Sequence, residues 1–226
     1  MDVDSLKRAA GEAAATLIED GMVVGLGTGS TAKFAVEAIG ARVRAGLKIL
    51  GIPTSEQTAS QARSVGIPLG ELTEDRRVDL TIDGADEVNI HSLDLIKGWG
   101  GALLREKIVA SVSDRFVIVV DESKLVERLG RRALPVEVVR FGWEATAHKL
   151  RELGAVPSLR NGAGGEPFVS ESGNYILDCT LVGAPSPASL GRELDGVVGV
   201  VEHGLFLGMT SQVFAAGADG VRMLTR

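Results

Sequence analysis

Apolar residues recur along this chain in two rhythms. Over residues 5–19 they fall at helical spacing (Leu6, Ala9, Ala10, Ala13, Ala14, Leu17, Ile18), with Asp4 placed to cap the start and Gly21 to stop the helix. "MVVGLGTGSTAKFAVEAIGARV" reads as strand, glycine-rich turn and helix, "LKILGIPTS" as a strand, and "SEQTASQARSVG" as a helix closed by Gly66. In "VDLTID", Val78, Leu80 and Ile82 alternate with other residues at strand spacing. A helix is predicted over "GALLREKIVASV", with Leu103, Leu104, Ile108 and Val112 on one broad face. "RFVIVVDESK" is apolar from Phe116 to Val120 without alternation, as a strand buried on both sides is. Strands alternating with helices predict a parallel sheet covered on both faces.

Beyond residue 131 the rhythm changes. "LPVEVV" is a strand, "WEATAHKLRELG" a helix and "AVPSLR" a strand. The loop "NGAGGEP" leads into "FVSESGNYILDCTL", a strand interrupted near residues 172–174, then "SPASLGRELDG" as a short helix and "VVGVVEHG" as a strand. That order, βαββαβ, is the ferredoxin-like pattern and implies a smaller second domain. The tail reads as two strands around "AGADG" that return to the first sheet.

Composition removes several function classes. Aromatics make up 4% of the chain and the net charge is −6 with no basic stripe, so neither a stacking platform nor an electrostatic footprint for nucleic acid is expected. One cysteine, Cys179, rules out an intramolecular disulfide or a cysteine zinc cluster, and in "YILDCTLV" it reads as a small apolar strand residue. The three histidines are scattered, and no metal site is expected from their spacing. The first residues carry no basic stretch followed by an apolar run, and no segment is long enough to span a bilayer, so cytoplasm is the expected location and no membrane partner is expected.

Ligands of open parallel sheets bind beyond the carboxyl ends of the strands. Four polar or glycine-rich loops fall there: "GTGST" (27–31), "DGADE" (83–87), "KGWGG" (97–101) and "DESK" (121–124). "GLGTGST" before a helix is either a serine-capped turn or a phosphate cradle. It lacks the lysine of a Walker loop and the glycine spacing of a dinucleotide fingerprint, so a small phosphate ester suits it better than a nucleotide. The three acids of "DGADE" are a solvated turn unless something offsets their charge. Glu106 lies nine residues after Lys97; "REK" is a solvated helix face or, among Leu103, Leu104, Ile108 and Val109, a half-desolvated carboxylate suited to proton transfer.

Taken together, "GLGTGSTA", "PTSEQT", "TIDGADEV", "LIKGWGGALLREKI", "LPVEV" and "GLF" resemble ribose-5-phosphate isomerases of the A type, in that family's order from residue 25 to 206. The resemblance implies an α/β fold: a Rossmann-like, largely parallel sheet domain (1–131 plus 205–226) with a ferredoxin-like α/β domain (132–204) inserted before the return. It implies cofactor-independent interconversion of ribose 5-phosphate and ribulose 5-phosphate through an enediolate, with no metal. Glu106 is then the base, Lys97 the oxyanion stabiliser, and Asp83 and Asp86 the groups that hold sugar hydroxyls and assist ring opening. Gly84, Ala85, Gly98, Trp99 and Gly100 line the sugar. The phosphate meets Thr28, Gly29, Ser30 and Thr31, helped by Lys124 and Lys7. The family usually assembles, so a homodimer or homotetramer is expected. Trp99 stands where the family commonly has glycine, and "TLVGAPSPASLGREL" also departs from the usual pattern.

Three rival readings bear on the same residues. A non-catalytic sugar-phosphate sensor keeps the phosphate loop and has no use for Glu106 with Lys97. A nicotinamide-dependent oxidoreductase is disfavoured by the glycine spacing, and a purely structural module leaves the four polar loops unexplained.

Overall fold

The computed structural model describes residues 2–182 and 186–226. Helix α1 (Val3–Ala15) starts and ends earlier than the apolar spacing suggests. Its cap is Asp2 rather than Asp4, through a carboxylate oxygen that accepts the Ser5 N–H at 2.9 Å. Leu17 and Ile18 follow in a tight turn whose N–H groups bond to Ala14 and Ala15, and Ile18 still reaches the core. Next come β1 (Val23–Leu26), α2 (Ala32–Arg44), β2 (Leu50–Pro53), α3 (Glu56–Ser64) and β3 (Val78–Asp83), in the order the sequence predicts. Ser55 caps α3 by accepting the Thr58 N–H at 3.1 Å.

Two short strands, β4 (Glu87–Asn89) and β5 (Leu95–Ile96), precede α4 (Leu103–Ser111) and β6 (Ser113–Asp121). A single 3-10 turn (Glu122–Lys124) and β7 (Leu125–Val126) follow. The next segment holds β8 (Leu134–Val138), α5 (Trp143–Glu152), β9 (Ala155–Leu159), β10 (Tyr175–Leu181), α6 (Pro187–Asp195) and β11 (Val200–His203). The chain closes with β12 (Leu205–Phe206), β13 (Gln212–Gly217) and β14 (Gly220–Thr225). Of "TLVGAPSPASLGREL", residues 183–185 lie outside the described residues.

The main sheet has the order β14-β13-β6-β3-β1-β2 and is parallel except for β14, which forms a hairpin with β13. Successive side chains of a strand point to opposite faces, and both faces of this sheet are buried. Leu80, Ile82, Val117 and Val119 pack with Ala10 and Ala14 of α1 and Val36 and Ile39 of α2. Phe116, Ile118 and Val120 face the other way, onto Val88, Leu95 and Phe206. That second cover comes partly from a small sheet of order β12-β5-β4-β7, whose strands of two or three residues are too short to show a period. Helix α4 also turns differently from the expected face. Leu103, Glu106, Val109 and Ala110 are inside, while Ile108 and Val112 are exposed. The rotation buries a carboxylate in place of two apolar side chains, which requires a compensating cation.

The third sheet, β11-β8-β10-β9, is antiparallel throughout and has the ferredoxin-like order. Its core gathers Leu134, Val136, Leu150, Leu177, Leu190 and Leu194 with Cys179. Burial pushes the Cys179 thiol up to about 12, so it is a packing residue and not a nucleophile.

Phe206 joins these layers. It is fully buried, its ring stacks on Phe116 at 6.1 Å, and the Lys97 ammonium lies 5.6 Å from its centroid. Phe206→Ala is expected to lower unfolding free energy by about 3–5 kcal/mol in urea titration.

Candidate functional site

The carboxyl ends of β1, β3 and β6 open onto a cavity of about 210 Å³. A larger cleft of about 480 Å³ lies beside α3 and α4, but its wall includes Ile52, Leu69, Leu72, Ile108 and Val109. Glu56, Arg63, Glu71 and Arg105 also line that cleft, but the polar loops singled out from the sequence converge on the smaller cavity. Gly29, Ser30 and Thr31 enter from the β1–α2 turn, Gly84, Ala85 and Asp86 from the end of β3, and Gly98, Trp99 and Gly100 from the loop after β5. Lys97, Glu106 and Lys124 complete the wall with Thr28.

The β1 turn approaches β3 so closely that a Cβ on Gly27 would lie 2.3 Å from an Asp83 carboxylate oxygen, so only glycine fits there. This contact lets Asp83 Oδ1 accept the Thr28 N–H at 3.1 Å and the Gly84 N–H at 2.7 Å. Asp83 Oδ2 faces Lys97 Nζ at 2.9 Å, close but off the line of a hydrogen bond. Lys97 Nζ also donates to the Gly84 carbonyl and lies 3.4 Å from Glu106 Oε2. All three charged side chains are almost wholly buried.

Burial works against each charge, and the outcome differs by residue. For Lys97, desolvation favours the neutral amine, but Asp83 and then Glu106 outweigh it and the ammonium is held above its ordinary range. Burial raises Asp83, with Lys97 opposing. Burial raises Asp86 too, against the Trp99 N–H that its Oδ2 accepts at 3.0 Å. Glu106 is pushed up to about 8, first by burial, with Asp83 and Asp86 adding to it and Lys97 only partly opposing. Its Oε2 has no hydrogen-bond partner among the described residues. The site therefore holds a fixed cation beside a carboxyl that exchanges its proton near neutrality.

Most of the residues singled out from the sequence meet at this cavity. Asp83 does not line it; it is completely buried behind Lys97. Lys7 is absent from the wall, and its Nζ lies 4.0 Å from Asp4. Thr28 lines the cavity, yet its hydroxyl is bonded to Thr54 and Ser55 at 2.7 Å and to Thr58 at 3.1 Å. That buried hydroxyl cluster ties the β1 turn to the start of α3, and its signal in the sequence is the three hydroxyl residues of "PTSEQT". Trp99 lines the cavity, and its indole N–H donates to the Ala133 carbonyl at 3.1 Å with Arg132 over the ring. Glu87, the third acid of "DGADE", accepts the Gly130 and Arg132 N–H groups at 2.7 and 2.6 Å and anchors a loop.

Spacing did not reveal a second cluster, Asp195, Glu202 and His203, whose ligand atoms lie within 4.8 Å of one another. The cation there is Lys107, which bonds to Glu202 and to the His203 carbonyl.

Fold and site define an α/β protein with a glycine-rich turn before a helix and a buried carboxyl–ammonium cluster at the carboxyl edge of a parallel sheet. Residues 50–220 match the family model described as ribose 5-phosphate isomerase A (phosphoriboisomerase A). The chain is 57% identical over 226 residues to ribose-5-phosphate isomerase A of Gloeobacter violaceus, covering 100% of this chain and 98% of that protein. Among solved structures it superposes on ribose 5-phosphate isomerase A of Methanocaldococcus jannaschii with a TM-score of 0.94 at 38% identity, covering 98% of this chain and 99% of that one. A D-ribose-5-phosphate isomerase in complex with phospho-erythronic acid gives a TM-score of 0.95 at 35% identity over 100% of both chains. The chain belongs to the ribose 5-phosphate isomerase A family.

A stability effect follows from Glu106. The folded state holds its proton up to about pH 8 whereas the ordinary value is 4.5, so between those values the folded state binds more protons than the unfolded one. Stability must fall as pH rises through that window. Glu106→Gln removes this dependence, so its stability relative to wild type is expected to increase from pH 5 to pH 9 in urea titrations.

Proposed function

We propose that the protein interconverts ribose 5-phosphate and ribulose 5-phosphate by proton transfer through an enediolate, with Glu106 as the base. The observation that carries this reading is the buried Glu106 carboxyl, held up to about 8, with an unpartnered oxygen 3.4 Å from the Lys97 ammonium. Glu106 removes the C2 proton of the open-chain aldose, the C–H pair becomes the C1–C2 double bond, and the carbonyl pair moves onto O1. Lys97 stabilises that oxyanion in a water-poor site. A proton then passes from O2 to O1, Glu106 returns its proton to C1, and C2 becomes the carbonyl.

The phosphate meets the N-terminus of α2. Thr31 makes no side-chain cap there, which leaves the turn of Gly29, Ser30 and Thr31 to a dianion, with Lys124 supplying charge. Thr28 shapes this turn rather than lending its hydroxyl. Asp86 meets the sugar hydroxyls and assists ring opening, and Asp83 acts through Lys97. A relative solved in complex with phospho-erythronic acid, a phosphate-bearing sugar acid, supports a sugar-phosphate ligand for this chain. A non-catalytic sensor has no use for a buried carboxyl held beside the Lys97 ammonium.

Residues 1–131 with 205–226 form the catalytic domain and 132–204 the smaller one. The protein works in the cytoplasm as a homodimer or homotetramer. Phe141 and Val198 are 94% and 93% exposed on adjoining segments, joined by the Val139 N–H to Gly199 carbonyl bond, and such apolar surface suits burial against another copy. Among the described residues no helix is long and apolar enough to cross a membrane.

The test is formation of ketopentose from ribose 5-phosphate by the purified protein in a chelator. Glu106→Gln is expected to lower kcat by roughly 10²–10⁴ while phosphate binding is retained; a fully active variant overturns the assignment. Because Glu106 must be ionised to accept a proton, kcat/KM is expected to climb with pH and level off above about 8. Lys124→Ala is expected to raise KM with kcat little changed, the mark of lost uniform binding.

A further inference from the structure

Lys97 and the wall after it belong to a loop with no regular structure, following a strand of two residues. At its start the Lys97 N–H is held by the Gly204 carbonyl at 2.9 Å. The peptide planes beyond are held partly within the loop, where the Gly98 carbonyl accepts the Gly101 N–H at 3.0 Å, and partly from the third sheet. Arg160, just past β9, donates from Nη1 to the Gly98 carbonyl at 2.9 Å and to the Trp99 carbonyl at 3.2 Å. We propose that Arg160 is a positioning residue for the isomerisation, aiming the N–H groups of Trp99 and Gly100 into the site. The inference rests on the functional reading above.

The geometry follows from the planar trans peptide, in which N–H and C=O point in opposite directions. Pulling the Gly98 carbonyl onto Arg160 turns the Trp99 N–H away from it, and that N–H meets Asp86. Pulling the Trp99 carbonyl onto the same nitrogen turns the Gly100 N–H away likewise, to the side where Gly100 lines the cavity. Arg160 is itself fixed. Its Nε donates to Asp178 Oδ2 at 2.9 Å and its Nη2 to Asp178 Oδ1, a two-point clamp that lysine cannot reproduce. The Phe168 ring packs 5.8 Å from the guanidinium and so close to the loop that a Cβ on Gly101 would lie 2.5 Å from Phe168 Cζ. Arg160 is not among the residues lining the cavity, so any effect on turnover passes through the loop.

Displacing such a loop by about 1 Å suffices to cost roughly a hundredfold in rate. In Arg160→Ala, kcat for ribose 5-phosphate is expected to fall about tenfold to a hundredfold. KM should change little, because the phosphate turn is untouched. Added guanidinium ion should restore part of kcat by occupying the vacated site, and Arg160→Lys should fall between the two. Near wild-type kcat in Arg160→Ala overturns the proposal. So does a loss of kcat that guanidinium does not relieve and that tracks a lowered melting temperature, since that is a packing effect. If Arg160→Ala does not fold, Arg160→Lys decides: reduced kcat at unchanged KM supports the role, and wild-type kcat overturns it. An inactive wild-type protein would instead overturn the functional reading, so the two failures are distinct.

Discussion

One ammonium group sets the terms for this site. Lys97 is buried with Asp83, Glu106 and the Gly84 carbonyl around it. Removing such charges from water costs several kcal/mol per ion unless each is paired and hydrogen-bonded. Asp83 meets that condition, since its other oxygen takes two backbone N–H groups. Burial is the first cause of the raised proton affinity of Glu106, and Asp83 offsets part of the attraction that Lys97 exerts on it. Glu106 is therefore a second carboxyl beside a cation already matched. Burial, with Asp83 and Asp86 adding to it, therefore outweighs an ammonium 3.4 Å away. The same sharing leaves the ammonium available to a new negative charge on a ligand.

The fold delivers this arrangement by superposing elements that are distant in sequence. β1 and β3 are neighbours in the parallel sheet, so the turn after one and the acid ending the other meet at the same edge. Helix α4 turns its carboxylate inward because Leu103, Val109 and Ala110 pack the same way. The small sheet closes the second face and carries Lys97 at the end of β5. The ferredoxin-like sheet reaches back through Arg160, and also through Glu171, which accepts the Glu56 N–H at the start of α3 and pairs with Arg105 at 2.9 Å. The surface pair with Arg105 is partly exposed and contributes little by itself; its effect is to register one sheet against α3 and α4.

Much of this was legible in the sequence because strong periodicity and loop chemistry agree. The order of strands and helices, the parallel sheet, the βαββαβ segment and the returning hairpin all follow from it. Gly29, Lys97 and Glu106 fall in loops or helix positions that the family resemblance joins into one site. What escaped was whatever depends on long-range packing. Strands of two or three residues have no period to read, so the small sheet was invisible. Ile108 was assigned inside and Glu106 half-inside because apolar spacing cannot foresee a cation in the next layer. The resemblance places Asp83 on the sugar and Thr28 on the phosphate, whereas the Asp83 carboxylate and the Thr28 hydroxyl turn toward neighbours 14 and 26 or more positions away in sequence. Arg160 carries no local signal at all, since its targets lie 62 and 61 residues earlier.

The claim that Lys97 and Asp83 form a matched pair that leaves Glu106 under-compensated is most directly tested by the Glu106 carboxyl itself. Its side-chain ¹³C resonance can be followed against pH in the ligand-free protein, assigned by comparison with Glu106→Gln. A titration near 8 is expected, moving lower in Asp83→Asn as the ammonium is freed to favour the Glu106 carboxylate. A Glu106 titration near 4.5 in the wild-type protein, unmoved by Asp83→Asn, would contradict the account.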